Sequence, residues 1–539
     1  MTSKEIRPGD LGGEIRTHAG SRQVDTTEKE GDTHGYRHPS LLLHDHLHTV
    51  EHRTGSMGGV PHQLMRYTGF VGANLLAVAA FLGGALPTLR HGVTPVTIWQ
   101  GEYGPLIITL WLAGTSLLAG AWWKLRDHVP SARWAYVTIG LWLLPLLLAP
   151  PLASRDVYAY ACQGATYAAG FNPYEQGVSA LPCPWLDSIS LIWRDTPAPY
   201  GPLFVLISGW VVASTASLSL IVILFRMIAV TGVALTALSL PVLARACGVP
   251  VKRALWLALA SPLVGVHMVS GAHNDALMIG LLVGGLAVIA AKPGRSGALL
   301  AGGVLLGLAA AIKVTAAVVV PFAAVAAIAG PYRFRALLRD GGWVVGGAVA
   351  TVVAVTITAG LDFGWIAGLS RSGDAVQWSS PPTAVGQTVG YIARLFGAQI
   401  DAVPAVRAVG VAVLAVILVV LWWRHRTREP LYGAGLALAA TVALAPVFHP
   451  WYAVWPLTVL AATAIRGAWF GWIALVTSFF VLPDGTGLPR YSKMPGAPLM
   501  TLLVILAVVY WIRAARGQGR AASRVMLPPD RPGAIGSRK

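Results

Sequence analysis

The sequence predicts an all-α, polytopic membrane protein, and three observations support that prediction. Hydrophobic residues make up 55% of the 539 residues and charged residues 12%, and the mean hydropathy is +0.62. Apolar runs that reach or approach the roughly 20 residues needed to cross a bilayer recur from position 68 to position 512. Lys and Arg are concentrated between alternate runs, the pattern that orients membrane helices. We therefore expect about 12 to 14 transmembrane helices.

Three regions are predicted along the chain. Residues 1–66 and 516–539 are polar and poor in aromatic residues, so we expect two disordered cytoplasmic tails. Residues 67–515 form the membrane domain, with an extracytoplasmic loop and juxtamembrane helices at 152–215. Ser154 is predicted outside and Arg245 inside, and the span 218–244 already makes that crossing. The apolar stretch 203–213 is therefore predicted to lie along the interface and not to cross the membrane. The predicted spans are 68–86, 105–123, 133–151, 218–244, 254–270, 275–291, 298–312, 315–330, 341–360, 403–423, 431–447, 451–465, 468–482 and 499–513.

The formal net charge of +17 indicates topology rather than nucleic-acid binding. Its basic residues lie mainly in the tails and in alternate loops, which the positive-inside rule assigns to the cytoplasm. In those positions they meet anionic lipid headgroups. We therefore expect contact with membrane lipid and no nucleic-acid partner.

The long extracytoplasmic loop begins with the stretch SRDVYAYACQG, from Ser154. Asp156 directly follows a predicted span, so its carboxylate is expected at the lipid–water boundary, where partial desolvation raises its basicity. It is the candidate general base. Alternatively, Asp156 complements a helix dipole or pairs with Arg155. Tyr158 and Tyr160 are expected either in an interfacial aromatic belt or against the face of a sugar.

A second polar turn, GAHNDA, lies between two apolar helices on the same predicted outer face. His273, Asn274 and Asp275 are candidates for hydrogen bonds to a polyhydroxylated ligand, or for capping the following helix. Neighbouring residues on a helix do not face one another, and no HxxxH or carboxylate spacing accompanies them. We therefore expect no metal site and no cofactor.

Cations lie in two of the remaining predicted outer turns. Lys313 interrupts an apolar run as a lone cation, and it is predicted either to snorkel to the surface or to face a lipid phosphate. Arg371 and Arg394 are weaker candidates for the same phosphate role.

Two further groups of residues lie in predicted outer loops. His449, Trp451 and Tyr452 are expected to form an aromatic wall beside a cleft or part of an interfacial belt. Cys162 and Cys183 share the long loop, where an oxidising compartment would permit a disulfide bond between them.

Several segments occur together in a familiar order: SRDVYAYACQG, NPY, TPAPYGPLF, GAHNDALMIGLL, GLAAAIKV and HPWY. Over residues 65–515 the chain resembles the actinobacterial polyprenyl-phosphomannose-dependent α-(1→6)-mannosyltransferases, which are integral membrane glycosyltransferases of the C-type fold. The resemblance implies inverting transfer of mannose from a polyprenyl-phosphate-mannose donor. The implied acceptor is a lipid-anchored α-(1→6)-mannan of a cell-envelope lipoglycan, on the outer face of the cytoplasmic membrane.

The resemblance also assigns roles to residues. Enzymes of this fold carry an essential acid in the first large extracytoplasmic loop, which corresponds to Asp156. Two additional spans precede that loop here, so Glu102 in the short loop WQGEYGP is an alternative acid. Lys313, with Arg155 or Arg371, is expected to neutralise the donor phosphate. The polyprenyl tail is expected in apolar grooves beside the spans near 254–330.

A secondary transporter or a flippase for lipid-linked sugars is the alternative from another class. Arg226, deep in its predicted span, favours that alternative. The sequence shows no internal repeat, and its acids and histidines gather at one predicted surface, which favours the enzyme.

Overall fold

The computed structural model describes residues 61–87, 94–366 and 375–525, and no strand occurs in those ranges. The α-helices are α1 (His62–Gly83), α2 (Pro95–Trp99), α3 (Gly104–Leu125), α4 (Ala132–Leu148), α5 (Asp156–Ala168), α6 (Pro202–Ser214), α7 (Leu218–Ala246), α8 (Val251–Leu259), α9 (Asp275–Ala291), α10 (Ser296–Ile312), α11 (Val320–Ala326), α12 (Phe334–Thr358), α13 (Pro381–Leu395), α14 (Val403–His425), α15 (Pro430–Leu444), α16 (Val454–Thr463), α17 (Gly471–Thr477), α18 (Leu488–Tyr491) and α19 (Lys493–Val525). Shorter 3-10 or π turns are Val178–Ala180, Leu186–Ser188, Leu191–Trp193, Val264–Ser270, Val314–Val319 and Pro450–Ala453. The predicted cytoplasmic tails lie largely outside the described residues.

Six helices are long and apolar enough to cross a membrane: α1, α3, α7, α12, α14 and α19. The count rises to seven if α8 and the π turn after it form one broken span, bent by 65°. Six shorter apolar helices of 10–17 residues accompany them within the described ranges. The prediction of an all-α, multi-pass membrane protein is confirmed, and its 12 to 14 spans counted several of these shorter helices as crossings.

Small residues set the helix packing in this bundle, as is typical of membrane helices. Gly232 on α7 faces Gly280 on α9, and a Cβ atom at Gly232 would lie 2.2 Å from the carbonyl oxygen of Ala276. Gly72 and Gly114 allow a similar approach of α1 and α3. Because these backbones nearly touch, α9 is held firmly against α7, and its first residues have a defined position.

Two short helices, α5 and α6, pair beside the bundle. Gly164 on α5 packs against the backbone of α6, where a Cβ atom would lie 2.4 Å from the Ser208 carbonyl oxygen. A disulfide joins Cys162 on α5 to Cys183 in the following loop, with 5.7 Å between the Cα atoms. The helix predicted at 203–213 is present as α6, and its placement along the membrane surface stays a prediction.

Arg226 ties three elements together in the interior of the bundle. Its Nη1 group donates to the carbonyl oxygens of Leu147 and Ala149, each at 2.8 Å, and Nη2 donates to that of Ser270 at 2.9 Å. These carbonyls end α4 and the π turn, where helical hydrogen bonding leaves acceptors without partners. The cation that favoured a transporter therefore has a structural role as a clamp on helix ends.

Candidate active site

One cavity of about 800 Å³ opens where α5, the loop before α6, α15, α16 and the segment around α18 meet. Its wall combines apolar side chains with carboxylates, cations and aromatic rings, the mixture expected for a binding site. The charged or titratable residues that line it include Arg155, Asp156, Lys313, His449, Asp484 and Arg490. Sequence analysis singled out the first four of these.

Asp156 is the first residue of α5, and a strained turn places it there. Ala153, three residues earlier, has a φ of 59°, which is uncommon for a residue with a Cβ atom. The turn is held by a 2.8 Å hydrogen bond from the Ala153 N–H to the Pro483 carbonyl oxygen. The side chain of Asp156 is 20% exposed, and it lines the cavity. Strain of this kind is found mainly at functional sites.

Burial is the main influence on the Asp156 carboxyl group. It raises the pKa of Asp156 to about 6, while the nearby charge of Lys313 lowers the pKa and that of Asp275 raises it further. The Ser154 hydroxyl group also lowers the pKa. A carboxylate with a pKa near 6 is a stronger base than an ordinary aspartate and remains largely ionised at neutral pH.

The imidazole of His273 lies next to the carboxylate of Asp156. Its Nδ1 atom is 3.5 Å from Oδ2 of Asp156 and 3.9 Å from Oδ2 of Asp275. The side chain is fully buried, and neither ring nitrogen has a hydrogen-bond partner among the described residues. Burial lowers the pKa of His273 well below its usual value, so the imidazole is neutral. His273 does not line the cavity.

Lys313 is paired, so its description as a lone cation is wrong. Its Nζ donates to Oδ1 and Oδ2 of Asp275 at 2.9 and 3.1 Å, and Nε1 of Trp455 donates to the same carboxylate at 2.7 Å. The ammonium also lies 4.6 Å from the ring centroid of Tyr452. The pairing joins residues 38 positions apart at the ends of α9 and α10, which the sequence pattern did not indicate.

Aromatic rings form one side of the cavity, as the sequence predicted for residues 449–452. His449 stacks on Trp451 with ring centroids 4.5 Å apart, and Trp451 in turn contacts His273 at 4.2 Å. Tyr452 packs against Trp455 at 4.5 Å. Residues 449, 451 and 452 all line the cavity.

The predicted tyrosines of α5 do not line the cavity. Tyr158 is buried, and its hydroxyl donates to the Ala85 carbonyl oxygen at 2.5 Å. Tyr160 is buried against Phe204, with ring centroids 4.8 Å apart. Both residues therefore anchor α5 to the bundle, because the face of this helix that lines the cavity carries Asp156, Ala159 and Gln163, at i, i+3 and i+7. Asn274 is also buried, and its amide has no partner within the described ranges.

The remaining predicted residues fall in three different places. Arg155 lines the cavity, and its guanidinium donates to the carbonyl oxygens of Asp484 and Ser188 at 3.1 Å each. Glu102 is exposed and does not line the cavity. Arg371 lies outside the described residues.

Sequence analysis missed the segment that follows α17. Asp484 lines the cavity, but its carboxylate accepts hydrogen bonds from the backbone and hydroxyl of Thr486 at 3.0 and 2.6 Å. Arg490 and Lys493 also line the cavity, and their charged groups have no partner among the described residues. The sequence signal for Arg490 and Lys493 was their position in a predicted outer loop, shortly after Asp484.

The fold and the cavity together define a polytopic membrane protein with a buried carboxylate beside cations and stacked rings. Residues 66–329 match the family model described as alpha-(1->6)-mannopyranosyltransferase, N-terminal domain. Residues 382–521 match the model described as MptB C-terminal domain. The chain belongs to this family of α-(1→6)-mannopyranosyltransferases, and it is a membrane mannosyltransferase.

Similar proteins from two organisms cover most of the chain. An alpha-(1->6)-mannopyranosyltransferase of Mycobacterium tuberculosis is 32% identical over 74% of this chain and 78% of its own length. The alpha-(1->6)-mannopyranosyltransferase A of the same organism is 30% identical over 81% and 87%. The alpha-(1->6)-mannopyranosyltransferase B of Corynebacterium glutamicum is 30% identical over 85% and 84%. No solved structure matches this chain. These relatives confirm the family that the sequence motifs indicated.

Proposed function

We propose that this protein transfers mannose, with inversion, from polyprenyl-phosphate-mannose to the α-(1→6)-mannan of a cell-envelope lipoglycan. The reaction would take place on the outer face of the cytoplasmic membrane. The observation that supports this most strongly is the Asp156 carboxylate on the wall of a cavity that also holds stacked rings and cations. The relatives named α-(1→6)-mannopyranosyltransferases supply the sugar and the linkage.

The apolar wall of the cavity supports a lipid-linked donor. Val411 and Leu414 on α14, with Val442 and Leu444 on α15, line the cavity. Only 6% of the most apolar 18-residue stretch of α14 is buried inside the protein, so an isoprenoid could approach along this helix. Each buried methylene contributes about 0.8 kcal/mol. The tail therefore fits better at α14 and α15 than in the grooves near 254–330 that the sequence suggested.

The chemistry needs one base and one cationic site. Asp156 would take the proton of the acceptor 6-hydroxyl as that oxygen attacks the anomeric carbon of the donor. The bond between the anomeric carbon and the phosphate oxygen breaks, and polyprenyl phosphate leaves as an anion that needs charge neutralisation rather than a proton. The proton remains on Asp156 until it passes to solvent in the cavity. A single displacement inverts the anomeric centre.

The donor phosphate would lie against the cations of the cavity. Sequence analysis assigned this role to Lys313 with Arg155 or Arg371. Because Asp275 already neutralises the ammonium of Lys313, we propose that Arg490 and Lys493 provide most of the attraction. Lys313 and Arg155 would then face the phosphate from the Asp156 side. Guanidinium groups are well suited to phosphate, because they donate two parallel hydrogen bonds.

The disulfide supports an active site outside the cytoplasm. It joins α5, which begins with Asp156, to the loop that forms part of the cavity wall. Disulfides persist in oxidising compartments and are rare in the cytosol. The distribution of basic loops indicates the same orientation. The His449, Trp451 and Tyr452 rings would then meet a sugar that arrives from the outer leaflet.

Donor choice tests this proposal. The purified protein in lipid nanodiscs is given a short α-(1→6)-mannoside acceptor and either radiolabelled polyprenyl-phosphate-mannose or radiolabelled GDP-mannose. We expect product from the lipid-linked donor alone, and nuclear magnetic resonance should identify a new α-(1→6) bond. Transfer from GDP-mannose without lipid, or a retained anomeric configuration, would refute the proposal.

A matched pair of substitutions tests the choice of acid. Glu102→Gln should leave the transfer rate within about twofold of wild type, because this residue is exposed and away from the cavity. Asp156→Asn should abolish most of the transfer. If Glu102→Gln abolished transfer while Asp156→Asn did not, the catalytic assignment would pass to Glu102.

A further inference from the structure

We infer that His273 is a positioning residue, whose Nδ1–H group holds the Asp156 carboxylate in the orientation that proton abstraction requires. The inference rests on the proposed function, since it gives His273 this role only if Asp156 is the base. Contact with a polyhydroxylated ligand was one of the two roles expected for His273, the other being a cap on the following helix. A fully buried ring that does not line the cavity is unsuited to the first of these roles. Its position between two carboxylates calls for another explanation.

Hydrogen-bond supply favours Asp156 as the partner. Oδ2 of Asp156 is the nearer carboxylate oxygen, at 3.5 Å from Nδ1, against 3.9 Å for Oδ2 of Asp275. Asp275 already accepts three hydrogen bonds, two from Lys313 and one from Trp455. The imidazole donor is therefore available to Asp156. The described residues show no hydrogen bond at this Nδ1. Catalytic hydrogen bonds are often long in the absence of substrate and tighten when it binds, and we infer that this one forms when donor and acceptor occupy the cavity.

The surroundings of His273 keep its ring from moving. Trp451 covers one face at 4.2 Å between ring centroids, and His267 lies edge-on at 5.9 Å. The preceding residue, Ala272, has a φ of 52°, so the backbone is strained immediately before the histidine. Ala153, before Asp156, is strained in the same way. Both partners thus emerge from unusual turns that point them toward each other.

The chemistry of the pair selects one tautomer. Because burial keeps the imidazole neutral, exactly one of its two nitrogens carries a hydrogen. Neither nitrogen makes a hydrogen bond in the described part of the chain, but Nδ1 lies 3.5 and 3.9 Å from two carboxylate oxygens, and no such contact is found for Nε2 there. The Nδ1–H form is therefore favoured. It leaves His273 as a donor to Asp156 and not as a second base.

A donor at this place also affects the pH dependence of transfer. A hydrogen bond to a carboxylate stabilises its ionised form, so loss of the donor should raise the pKa of Asp156. The acid limb of the pH–rate profile should move to higher pH, because the base is active only when deprotonated. The titratable and charged groups that face the pair are Asp275, Lys313, His267 and His449, with Tyr160, Tyr200 and Tyr452 around them.

Three substitutions of His273 distinguish the role of its N–H donor from the role of its ring in packing. His273→Asn places an amide N–H near the position of Nδ1, His273→Gln places one near Nε2, and His273→Phe keeps the ring against Trp451 without a donor. Each variant is purified in nanodiscs, its thermal unfolding is recorded, and kcat and KM are measured from pH 5 to pH 8. His425→Phe, at a half-buried histidine of α14 that does not line the cavity, is the matched control.

The expected results differ between the variants. His273→Phe should lower kcat about tenfold and move the acid limb up by about one pH unit, the size of one lost hydrogen bond to a charged group. The donor KM should stay within about twofold, and His273→Asn should keep the acid limb near that of wild type. His425→Phe should change neither quantity.

Other outcomes would overturn the inference or its basis. Equal acid limbs in wild type, His273→Phe and His273→Asn would refute the positioning role while leaving Asp156 as the base. If His273→Phe fails to fold, the comparison of His273→Asn with His273→Gln decides, and equal profiles in that pair refute the role. Full transfer by Asp156→Asn would instead refute Asp156 as the base and with it the role of His273, whatever the histidine variants do. Transfer from GDP-mannose in place of the lipid-linked donor would refute the proposed function itself.

Discussion

Arg226 and Asp156 are both charged side chains set among apolar helices, but their surroundings differ. Two nitrogens of the Arg226 guanidinium donate to three carbonyl oxygens, its Nε has no partner among the described residues, and the residue is 7% exposed. Asp156 opens onto a cavity, and its neighbour His273 has no hydrogen-bond partner among the described residues. The first arrangement closes the ends of helices, whereas the second leaves capacity for a ligand.

The difference separates structural charges from reactive ones in a membrane protein. A charge in an apolar bundle is costly, so it persists either because backbone groups compensate it or because function requires it. Counting charged residues in predicted spans does not distinguish these cases. The hydrogen-bond partners of each group do distinguish them, and the predictions below test that distinction.

The largest effect on stability is expected at Arg226. Arg226→Met keeps the side-chain length but leaves the carbonyl oxygens of Leu147, Ala149 and Ser270 without their donor. The free energy of unfolding should fall by roughly 3 to 5 kcal/mol, since each buried unpaired group costs about 1 to 3 kcal/mol. Thermal unfolding in nanodiscs measures it. A folded variant of normal stability that has lost transfer would show that Arg226 acts in function instead.

Changes to the buried pair of Lys313 and Asp275 should affect both the stability of the protein and the pH dependence of transfer. Lys313→Met leaves the Asp275 carboxylate buried with one remaining hydrogen bond, from Trp455, which should lower the free energy of unfolding by roughly 3 to 4 kcal/mol. It also removes a charge that lowers the pKa of Asp156, so the acid limb of transfer should move to higher pH. The double variant Lys313→Met with Asp275→Leu should recover part of the stability but not the wild-type pH profile. If the double variant were no more stable than Lys313→Met, the two residues would not act as a pair.

Loss of the disulfide should weaken the wall of the cavity by a smaller amount. Replacing both Cys162 and Cys183 by Ser opens a link across 21 positions, and the free energy of unfolding should fall by about 3 kcal/mol. Transfer by the fraction that remains folded should change little, because neither cysteine lines the cavity. Comparing unfolding of the wild type with and without reductant provides the control. An unchanged unfolding curve in both comparisons would show that the link does not stabilise the loop.

The smallest effect is expected for the proposed phosphate contacts. Arg490→Gln should raise the KM for the lipid-linked donor about tenfold, equivalent to about 1.4 kcal/mol, with little change in thermal stability. Lys493→Gln should act in the same direction. Arg394→Gln, on the exposed end of α13, is the control, because it does not line the cavity. Equal KM values in all three variants would exclude Arg490 and Lys493 from the donor site.

The sequence was sufficient to predict the class of fold and several of the residues that line the cavity. Asp156 was found because a charged residue follows an apolar run, and residues 449–452 because polar rings interrupt another. Partners such as Asp275 for Lys313 were not predictable, since they meet only after α9 and α10 pack together. Arg490 and Lys493 were missed because basic residues near a helix start resemble ordinary membrane anchors.

The position of the tyrosines illustrates the same limit. Tyr158 and Tyr160 stand close to Asp156 in the sequence, and both sides of α5 are chemically plausible for sugar contact. Only the docking of α5 against α6 and α7 decides which side faces the cavity. The tyrosines are on the packed side, so they support the helix that carries the carboxylate.

Single-turnover transfer by Asp156→Asn tests the central claim most directly. Wild type, Asp156→Asn and Asp484→Asn are compared at pH 7 with saturating polyprenyl-phosphate-mannose and acceptor, after matched thermal unfolding shows that each is folded. We predict a rate constant about 10³-fold lower for Asp156→Asn and a change of less than about tenfold for Asp484→Asn, whose carboxylate is bonded within its own turn. A rate for folded Asp156→Asn equal to that of wild type would contradict the assignment of Asp156 as the base.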